Sequence, residues 1–261
     1  MKENGFVEDV KKMFSDNFRQ SDIFVFESID STNNFAKEYA KKAVSKKSAF
    51  FIAEKQTFGR GSKGRSFLSE KGGLYITFLF YPGLAAKDAV MLTVFAAVAL
   101  VETIRDFTGI DPKIKWVNDA YIGNKKIAGI LTEGAFSDGG KGFDYAIVGI
   151  GVNVKKQKFG EELANIASDI ESETGVSLDI PSFALAFAKR LSLFEESDIY
   201  EYMEKYKSYS FVVGKKIRVT TGEKTRYGKA VYINDDGSLR VLFDDGEEKD
   251  LISADVSVMP V

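Results

Sequence analysis

Between residues 59 and 65 the chain reads Gly-Arg-Gly-Ser-Lys-Gly-Arg, three glycines interleaved with three cations. Glycine lets the backbone approach a ligand closely and exposes its amide donors. Arg60, Lys63 and Arg65 add positive charge. Such a loop suits a phosphate or a carboxylate. It is not a Walker A loop, which ends in Gly-Lys-Ser/Thr, nor a dinucleotide fingerprint, which needs G-x-G-x-x-G/A at a helix start. The plain alternative is a solvated loop with no ligand.

A second segment, Lys115-Trp116-Val117-Asn118-Asp119, continues into Ala120-Tyr121-Ile122 and, after Gly123-Asn124, into Lys125-Lys126-Ile127. Gly-Asn between apolar runs is a favoured two-residue hairpin turn. It predicts Ile122 opposite Lys125, Tyr121 opposite Lys126 and Asp119 opposite Ala128. On that register Asp119 and Lys126 share one face as diagonal neighbours, about 7–8 Å apart at the backbone. Ala120, Ile122 and Ile127 fall on the other face. A lone Lys–Asp pair at a surface would contribute little, and Trp116, the only tryptophan, reads as core.

Two more segments can carry a site. Asp30-Ser31-Thr32-Asn33-Asn34 reads as a helix start capped by Asp30 or Ser31, and its polar groups can also hold an uncharged polar part of a ligand. Ile147 to Val154 places Gly149 and Gly151 inside a buried strand, where glycine is costly unless something needs the space. A ligand and plain packing both meet that condition. Asn153, at the strand's end, can hydrogen-bond a nucleotide or close the strand.

Composition narrows the chemistry. The 261 residues include no Cys and no His. Disulfides, thiol nucleophiles, zinc sites built on Cys or His, histidine general bases and Ser-His-Asp triads are therefore excluded. What remains is Lys, Arg, Asp, Glu, Tyr, backbone amides, or a hard metal such as Mg²⁺. The 36 basic and 38 acidic residues nearly balance, for a net charge of -2, which argues against a general nucleic-acid coat. With 44% hydrophobic residues the chain can bury a core as one large domain, or one domain plus a small one. Met1-Lys2-Glu3-Asn4 leads into no apolar run, and so reads as no secretory signal. The apolar stretch Ala89 to Val101 is shorter than the ~20 residues of a membrane span and reads as a buried helix. A cytoplasmic protein is expected.

The scaffold that must position these residues reads as α+β. An amphipathic helix lies within residues 1–20, with Phe6, Val10, Met13 and Phe14 on one face. Strands are predicted at 23–26, 49–54, 74–81, 114–116, 120–122, 126–132 and 145–154. Helices are predicted at 33–44, 89–106, 161–174 (closed by Gly175), 182–195 and 199–207. From Gly214 onward only short strands and turns remain, at 216–220, 229–233 and 239–243, with Asp-Asp-Gly turns at 235–237 and 244–246. That pattern suggests a small β-barrel appended to the larger domain.

Taken in order, Asp-Ser-Thr-Asn-Asn (30–34), Ala-Glu-Lys-Gln-Thr-Phe-Gly-Arg-Gly-Ser-Lys-Gly-Arg (53–65), Lys-Trp-Val-Asn-Asp (115–119), Lys-Ile-Ala-Gly-Ile-Leu-Thr-Glu (126–133) and Gly-Ile-Gly-Val-Asn-Val (149–154) resemble the bacterial biotin protein ligases. Each motif is weak alone, but the ordered set is specific, and the resemblance covers roughly residues 22 to 261. It implies a mixed-sheet catalytic domain of class II synthetase type over 1–211, with 1–20 as a helical extension, followed by an SH3-like barrel over 212–261. It also implies a two-step reaction. Biotin and MgATP give biotinyl-5′-adenylate and pyrophosphate, and the adenylate then acylates a lysine of a biotin carboxyl carrier domain. Neither step needs Cys, His, zinc or haem.

By match to the family, Ser31, Thr32, Asn33 and Gln56 would bind the biotin head. Gly59, Arg60, Gly61, Ser62 and Arg65 would form the ATP and adenylate loop, with Arg60 and the amides of Gly61 and Ser62 holding the carboxylate and then the phosphate. Phe67 would cover adenine, and Asn118 and Asn153 would contact the nucleotide. Lys126 would neutralise charge at the acyl-phosphate end, and Asp119 would place Mg²⁺ or the incoming lysine amine. The family usually has Arg where this chain has Ser62, Pro where it has Val117, and Trp where it has Phe67. Ser62 implies a leakier adenylate unless Lys63 substitutes. Only some 20 residues precede the first catalytic strand, too few for the winged helix-turn-helix of repressor members, so no operator binding is expected. Members often pair through the catalytic sheet, which would make a homodimer. Two other readings compete: a lipoate or octanoate ligase of related fold, and a non-catalytic biotin sensor.

Overall fold

The computed structural model describes residues 5–85, 88–136, 142–194, 197–252 and 257–260. Its first element, α1 (Gly5–Asn17), follows the amphipathic reading, and buries Val10 and Phe14. The Phe14 ring meets Phe50 edge-on at 5.5 Å, so this helix is part of the core. Residues 1–4, where no secretory signal is expected, lie outside the described residues.

The larger sheet is built from β1 (Asp22–Phe26), β2 (Ala49–Ala53), β3 (Gly73–Phe80), β4 (Lys113–Lys115), β5 (Asp119–Ile122), β6 (Lys125–Phe136) and β7 (Phe143–Asn153). Its order is β1-β2-β3-β7-β6-β5-β4. Only β1 with β2 is parallel, and the other pairs are antiparallel. Successive residues of β2 go to opposite faces, as a pleated strand requires. Phe50 and Ile52 join the large core under α3 (Val90–Thr108), whereas Ala49 and Phe51 pack beneath α2 (Thr32–Lys42). The apolar stretch at 89–101 is the first half of α3, and nearly all of it is buried. Gly109, left-handed with φ of 71°, closes the helix in the manner glycine allows.

Two expectations need correction. The turn at Gly123-Asn124 keeps Ile122 opposite Lys125 and Tyr121 opposite Lys126, but Asp119 then pairs with Gly129 and Ala120 with Ala128. Ile127 is the extra residue of a β-bulge, which shifts the register by one beyond it. The single helix expected over 161–174 is two, α4 (Glu161–Ala164) and α5 (Ile170–Thr174). Between them the chain crosses to β6, where the Lys126 amide donates to Ile166 O and the Ser168 amide to Lys126 O. Asp169 then caps a fresh helix by accepting from the Ser172 amide at 2.7 Å. Leu163 and Ile166 had the spacing of a core stripe, yet they are 39% and 46% exposed.

Helices α6 (Ile180–Leu191) and α7 (Ile199–Ser208) follow. Residue 195, the expected end of the first of them, lies outside the described residues. The C-terminal unit is a five-stranded antiparallel sheet of β8 (Lys216–Thr221), β9 (Lys224–Ile233), β10 (Leu239–Phe243), β11 (Glu248–Leu251) and β12 (Ser257–Pro260), in the order β11-β10-β9-β8-β12. Three of these strands were anticipated. β11 and β12 are not among them; of the β11 residues only Leu251 is buried and no alternation marks the strand. The unit meets the larger, N-terminal part at its Asp235-Asp236-Gly237 turn, where Gly237 O accepts from the Trp116 indole at 2.9 Å. Lys207 of α7 pairs with Asp235 at 2.6 Å.

Candidate functional site

A cavity of about 570 Å³ opens beside the start of α2. It brings together residues from every segment singled out in the sequence. Ser31, Thr32, Asn33, Gln56, Arg60, Gly61, Ser62, Arg65, Phe67, Asn118, Asp119, Lys126 and Asn153 all line it, whereas Gly59 does not. Gly59 instead lies where an added Cβ would fall 2.3 Å from Phe67 O and Ser69 Oγ, so it lets the base of the loop close.

At the α2 start, Ser31 is the N-cap and accepts from the Asn34 amide at 3.5 Å. The amide and hydroxyl of Thr32 both lie within hydrogen-bond reach of Gln56 Oε1, at 2.8 and 3.0 Å. Gln56 Nε2 donates to Ser69 Oγ at 3.1 Å, and Ser69 donates to Phe67 O at 3.0 Å. Gln56 thus braces Thr32 against the loop while lining the cavity. Asn33 Nδ2 donates to Glu133 Oε2 at 3.0 Å, and Asn33 Oδ1 accepts from Thr77 Oγ1 at 2.7 Å.

The two strand glycines make room for site side chains. A Cβ on Gly149 would lie 1.9 Å from Asn33 Oδ1, and one on Gly151 would lie 2.6 Å from the Phe67 ring. Gly129 gives the same kind of room to Lys126 and Asp119. Across it the Lys126 ammonium meets Asp119 Oδ1 at 2.6 Å, and the ammonium also lies 5.9 Å from the Phe67 ring centroid.

Segment 115–119 is held from outside the cavity. Trp116 bonds to Gly237 O, the Tyr206 hydroxyl donates to Val117 O at 2.8 Å, and Asn118 Nδ2 donates to Ile130 O at 2.7 Å. The Trp116–Val117 peptide is cis. At the far wall Asn153 Nδ2 donates to Ser168 O at 2.9 Å, while its Oδ1 is buried without a hydrogen-bond partner.

The glycine-rich loop is a small hairpin. Gly61 N donates to Arg65 O at 2.7 Å, Phe67 N donates to Gly59 O at 2.9 Å, and Ser62–Gly64 forms a 3-10 turn. The Gly61 amide is thereby engaged within the loop. Arg65 donates to Ser62 O and Oγ at 3.3 and 3.1 Å. The Arg60 guanidinium turns toward α2, donating to Asn34 Oδ1 at 2.9 Å and pairing with Glu133 at 3.3 Å.

Charge in the cavity is lopsided. Arg60, Arg65, Lys115 and Lys126 line it against a single acidic side chain, Asp119. Lys115 is only 9% exposed. Burial holds its pKa below the usual lysine range, and although Asp119 works the other way, Lys126 and Arg65 add to the lowering. Tyr121 beside it is pushed up, first by burial and then by Asp119. Such a site favours an anion at its cationic end and a neutral polar group at the α2 end. Among the described residues no group of three or more carboxylates forms a metal cage.

Sequence reasoning passed over Lys115, Glu133 and Thr77. Lys115 and Glu133 stand inside quoted motifs, where their type and position were the available signal. Thr77 had none, because a threonine in a buried strand is ordinary.

Comparison with known proteins gives a consistent set of relatives. The Biotin/lipoate A/B protein ligase family matches residues 25–153, and the Biotin protein ligase C terminal domain matches residues 212–259. The bifunctional ligase/repressor BirA of Bacillus subtilis is 34% identical over 237 residues, covering 88% of this chain and 72% of that protein. The biotin–[acetyl-CoA-carboxylase] ligase of Paracoccus denitrificans is 30% identical over 219 residues, covering 80% and 90%. Among solved structures, the biotin protein ligase from Aquifex aeolicus in complex with biotin and ATP aligns with a TM-score of 0.76 and 30% identity, over 92% of this chain and 99% of that one.

Proposed function

The chain belongs to the biotin protein ligase family, and from that premise we propose how its own residues carry out the two steps. As a biotin ligase it activates biotin with ATP and transfers it to a lysine. In the first step a biotin carboxylate oxygen attacks the α-phosphorus of ATP, and pyrophosphate leaves. In the second, the amine of a carrier lysine attacks the acyl carbon, loses a proton and releases AMP. Supporting this is the pairing, in one cavity, of four cations against one carboxylate with a neutral donor–acceptor cluster at the α2 start.

The first step brings a carboxylate and a polyphosphate together, so positive charge must be in place beforehand. Lys126, Lys115 and Arg65 supply it, with Lys126 opposite the developing acyl-phosphate charge. Ser31, Thr32 and Asn33 read the ureido head, with Gln56 holding Thr32 in place. Arg60 reaches the anion by leaving Glu133, together with the amide of Ser62; the Gly61 amide, spent on Arg65 O, holds the loop in shape instead. Phe67, on the space left by Gly151, lies against the nucleotide, and Asn118 and Asn153 address its polar edge. Asp119 serves the incoming amine as a counter-charge and hydrogen-bond acceptor.

A magnesium ion needs several oxygen ligands, and the cavity wall offers one carboxylate and the spare oxygen of Asn153. That set fits an ion that arrives on the phosphates rather than one caged by protein. Bound there by Asp119 and Asn153, it would neutralise phosphate charge.

The partner that follows is a biotin carboxyl carrier domain in the cytoplasm. No helix among the described residues is long and apolar enough to cross a membrane. The deciding experiment is biotin-dependent ATP–pyrophosphate exchange, with lipoate and octanoate run alongside. Exchange with biotin alone is expected. Exchange only with an acyl chain would move the protein to the lipoate branch. Biotin binding without exchange would make it a sensor.

A further inference from the structure

Glu133 does not line the cavity, yet it touches three residues around it. Its Oε1 accepts from Lys37 at 2.6 Å and faces Arg60 at 3.3 Å, and its Oε2 accepts from Asn33 Nδ2 at 3.0 Å. Burial alone would raise its pKa. The hydrogen bonds from Lys37 and Asn33 and the charges of Lys37 and Arg60 outweigh burial and keep its pKa below the usual range. A carboxylate in that state only accepts hydrogen bonds.

The consequence falls on Asn33. An asparagine amide has an acceptor end and a donor end, and its neighbours decide which way round it sits. Here Thr77 Oγ1 lies 2.7 Å from both Oδ1 and Thr32 Oγ1, and its one proton goes to Oδ1, which can only accept, while the Thr32 hydroxyl can donate in turn; Nδ2 is drawn to Glu133 and lies 3.4 Å from Leu131 O. Oδ1 lies against Gly149, both residues lining the cavity. One lone pair of that oxygen is left over after Thr77. The amide thus presents an acceptor at the wall, which suits the N–H groups of a ureido ring.

We propose that Glu133 is a positioning residue for biotin recognition, acting through Asn33: its acceptor-only carboxylate fixes the sense of the Asn33 amide, and Lys37 keeps that carboxylate compensated when Arg60 departs for the ligand. This rests on the ligase reading above. Glutamine at position 133 would break the arrangement without changing shape. Its NH₂ would have to face either two cations or the Asn33 NH₂. The second conflict is the milder, and turning the Asn33 amide over relieves it. The cavity wall then presents a donor to a donor.

The test is the biotin KM and kcat of pyrophosphate exchange for Glu133→Gln, Asn33→Ala and the pair. Glu133→Gln is expected to raise the biotin KM by about tenfold or more, the penalty of a mismatched polar contact, with a smaller effect on kcat. With Asn33→Ala already present, Glu133→Gln should change KM by less than about threefold. Thr77→Val removes the restraint on the other end of the amide. It also removes the contact of Thr77 with Thr32 Oγ1 at 2.7 Å, so its KM effect should be larger in the wild-type than in the Asn33→Ala background, and that difference covers the case in which Glu133→Gln does not fold. An unchanged KM in Glu133→Gln, or equal losses with and without Asn33, overturns the proposal. Wild-type protein that fails to exchange with biotin at all overturns the ligase reading instead, so the two failures are distinguishable.

Discussion

Lys126 and Asp119 sit on facing strands, on either side of the bulge at Ile127, and their side chains meet at 2.6 Å over the bare Cα of Gly129. The pairing places a compensated cation at the cavity wall. Under the proposed mechanism an anionic ligand draws the ammonium away, and the carboxylate is left to accept from an incoming amine.

Lys126→Met should therefore abolish activation while leaving the head-reading end of the cavity intact. Loss of a preorganised charge at a developing anion costs about 10²–10³ in rate. Pyrophosphate exchange is expected to fall by at least that much, and equilibrium biotin binding by less. Equal losses in both would place Lys126 in ground-state binding.

Lys115 provides a second test, of stability and activity together. Its pKa is lowered by burial. The fold then binds fewer protons than the unfolded chain between the lowered value and the ordinary one, near 10.4. The stability this group permits is full above the ordinary value and is lost as pH falls through the lowered one. At neutral pH the buried charge is a net burden. Lys115→Met is expected to raise the melting temperature at pH 7 and to flatten the rise in stability toward alkaline pH, while lowering exchange about tenfold or more. Thermal melts across pH, set beside exchange rates, check both halves.

The glycines are testable by size. A methyl on Gly151 would meet the Phe67 ring and one on Gly149 would meet the Asn33 amide. Gly151→Ala should raise the KM for ATP and Gly149→Ala the KM for biotin. Each shift should be about tenfold, a displaced contact costing roughly 1–3 kcal/mol. The reverse pattern would exchange the two assignments.

Ser62 stands where relatives by resemblance carry arginine. Here it serves Arg65, whose guanidinium donates to its Oγ at 3.1 Å. Without carrier protein, wild type is expected to release more free biotinyl-adenylate than Ser62→Arg, measured by chromatography of the filtrate. Equal release would show that Ser62 does not make the site leak.

How much of this was legible in the sequence varies by kind of signal. The hairpin register near its turn was legible because Gly123-Asn124 fixes it. The register beyond was not, because a bulge has no residue signature when the extra residue is an apolar Ile127. The cost of glycine in strand β7 was legible, but not its beneficiaries, since Asn33 and Phe67 come from elements far away in the chain. Leu163 and Ile166 misled for the same reason. Their helical spacing is real, but Asp169 restarts the helix and the segment before it is spent on Lys126. The family resemblance implies direct contact between Arg60 and an anion. Where it rests depends on Glu133, seventy-three positions away, and no local pattern announces that.

Trp116 lines the cavity on one side, and on the other its indole N–H is bonded into the Gly237 turn of the C-terminal sheet. Because it is the only tryptophan in the chain, its ultraviolet emission comes from that one spot. A ligand entering the cavity changes the polarity on one flank of the ring, and separation of the C-terminal unit wets the other. The protein thus carries an intrinsic optical probe at the seam between its two units. Emission intensity and wavelength, followed in a stopped-flow mixer, would time site filling and the docking of that unit in a single unlabelled sample.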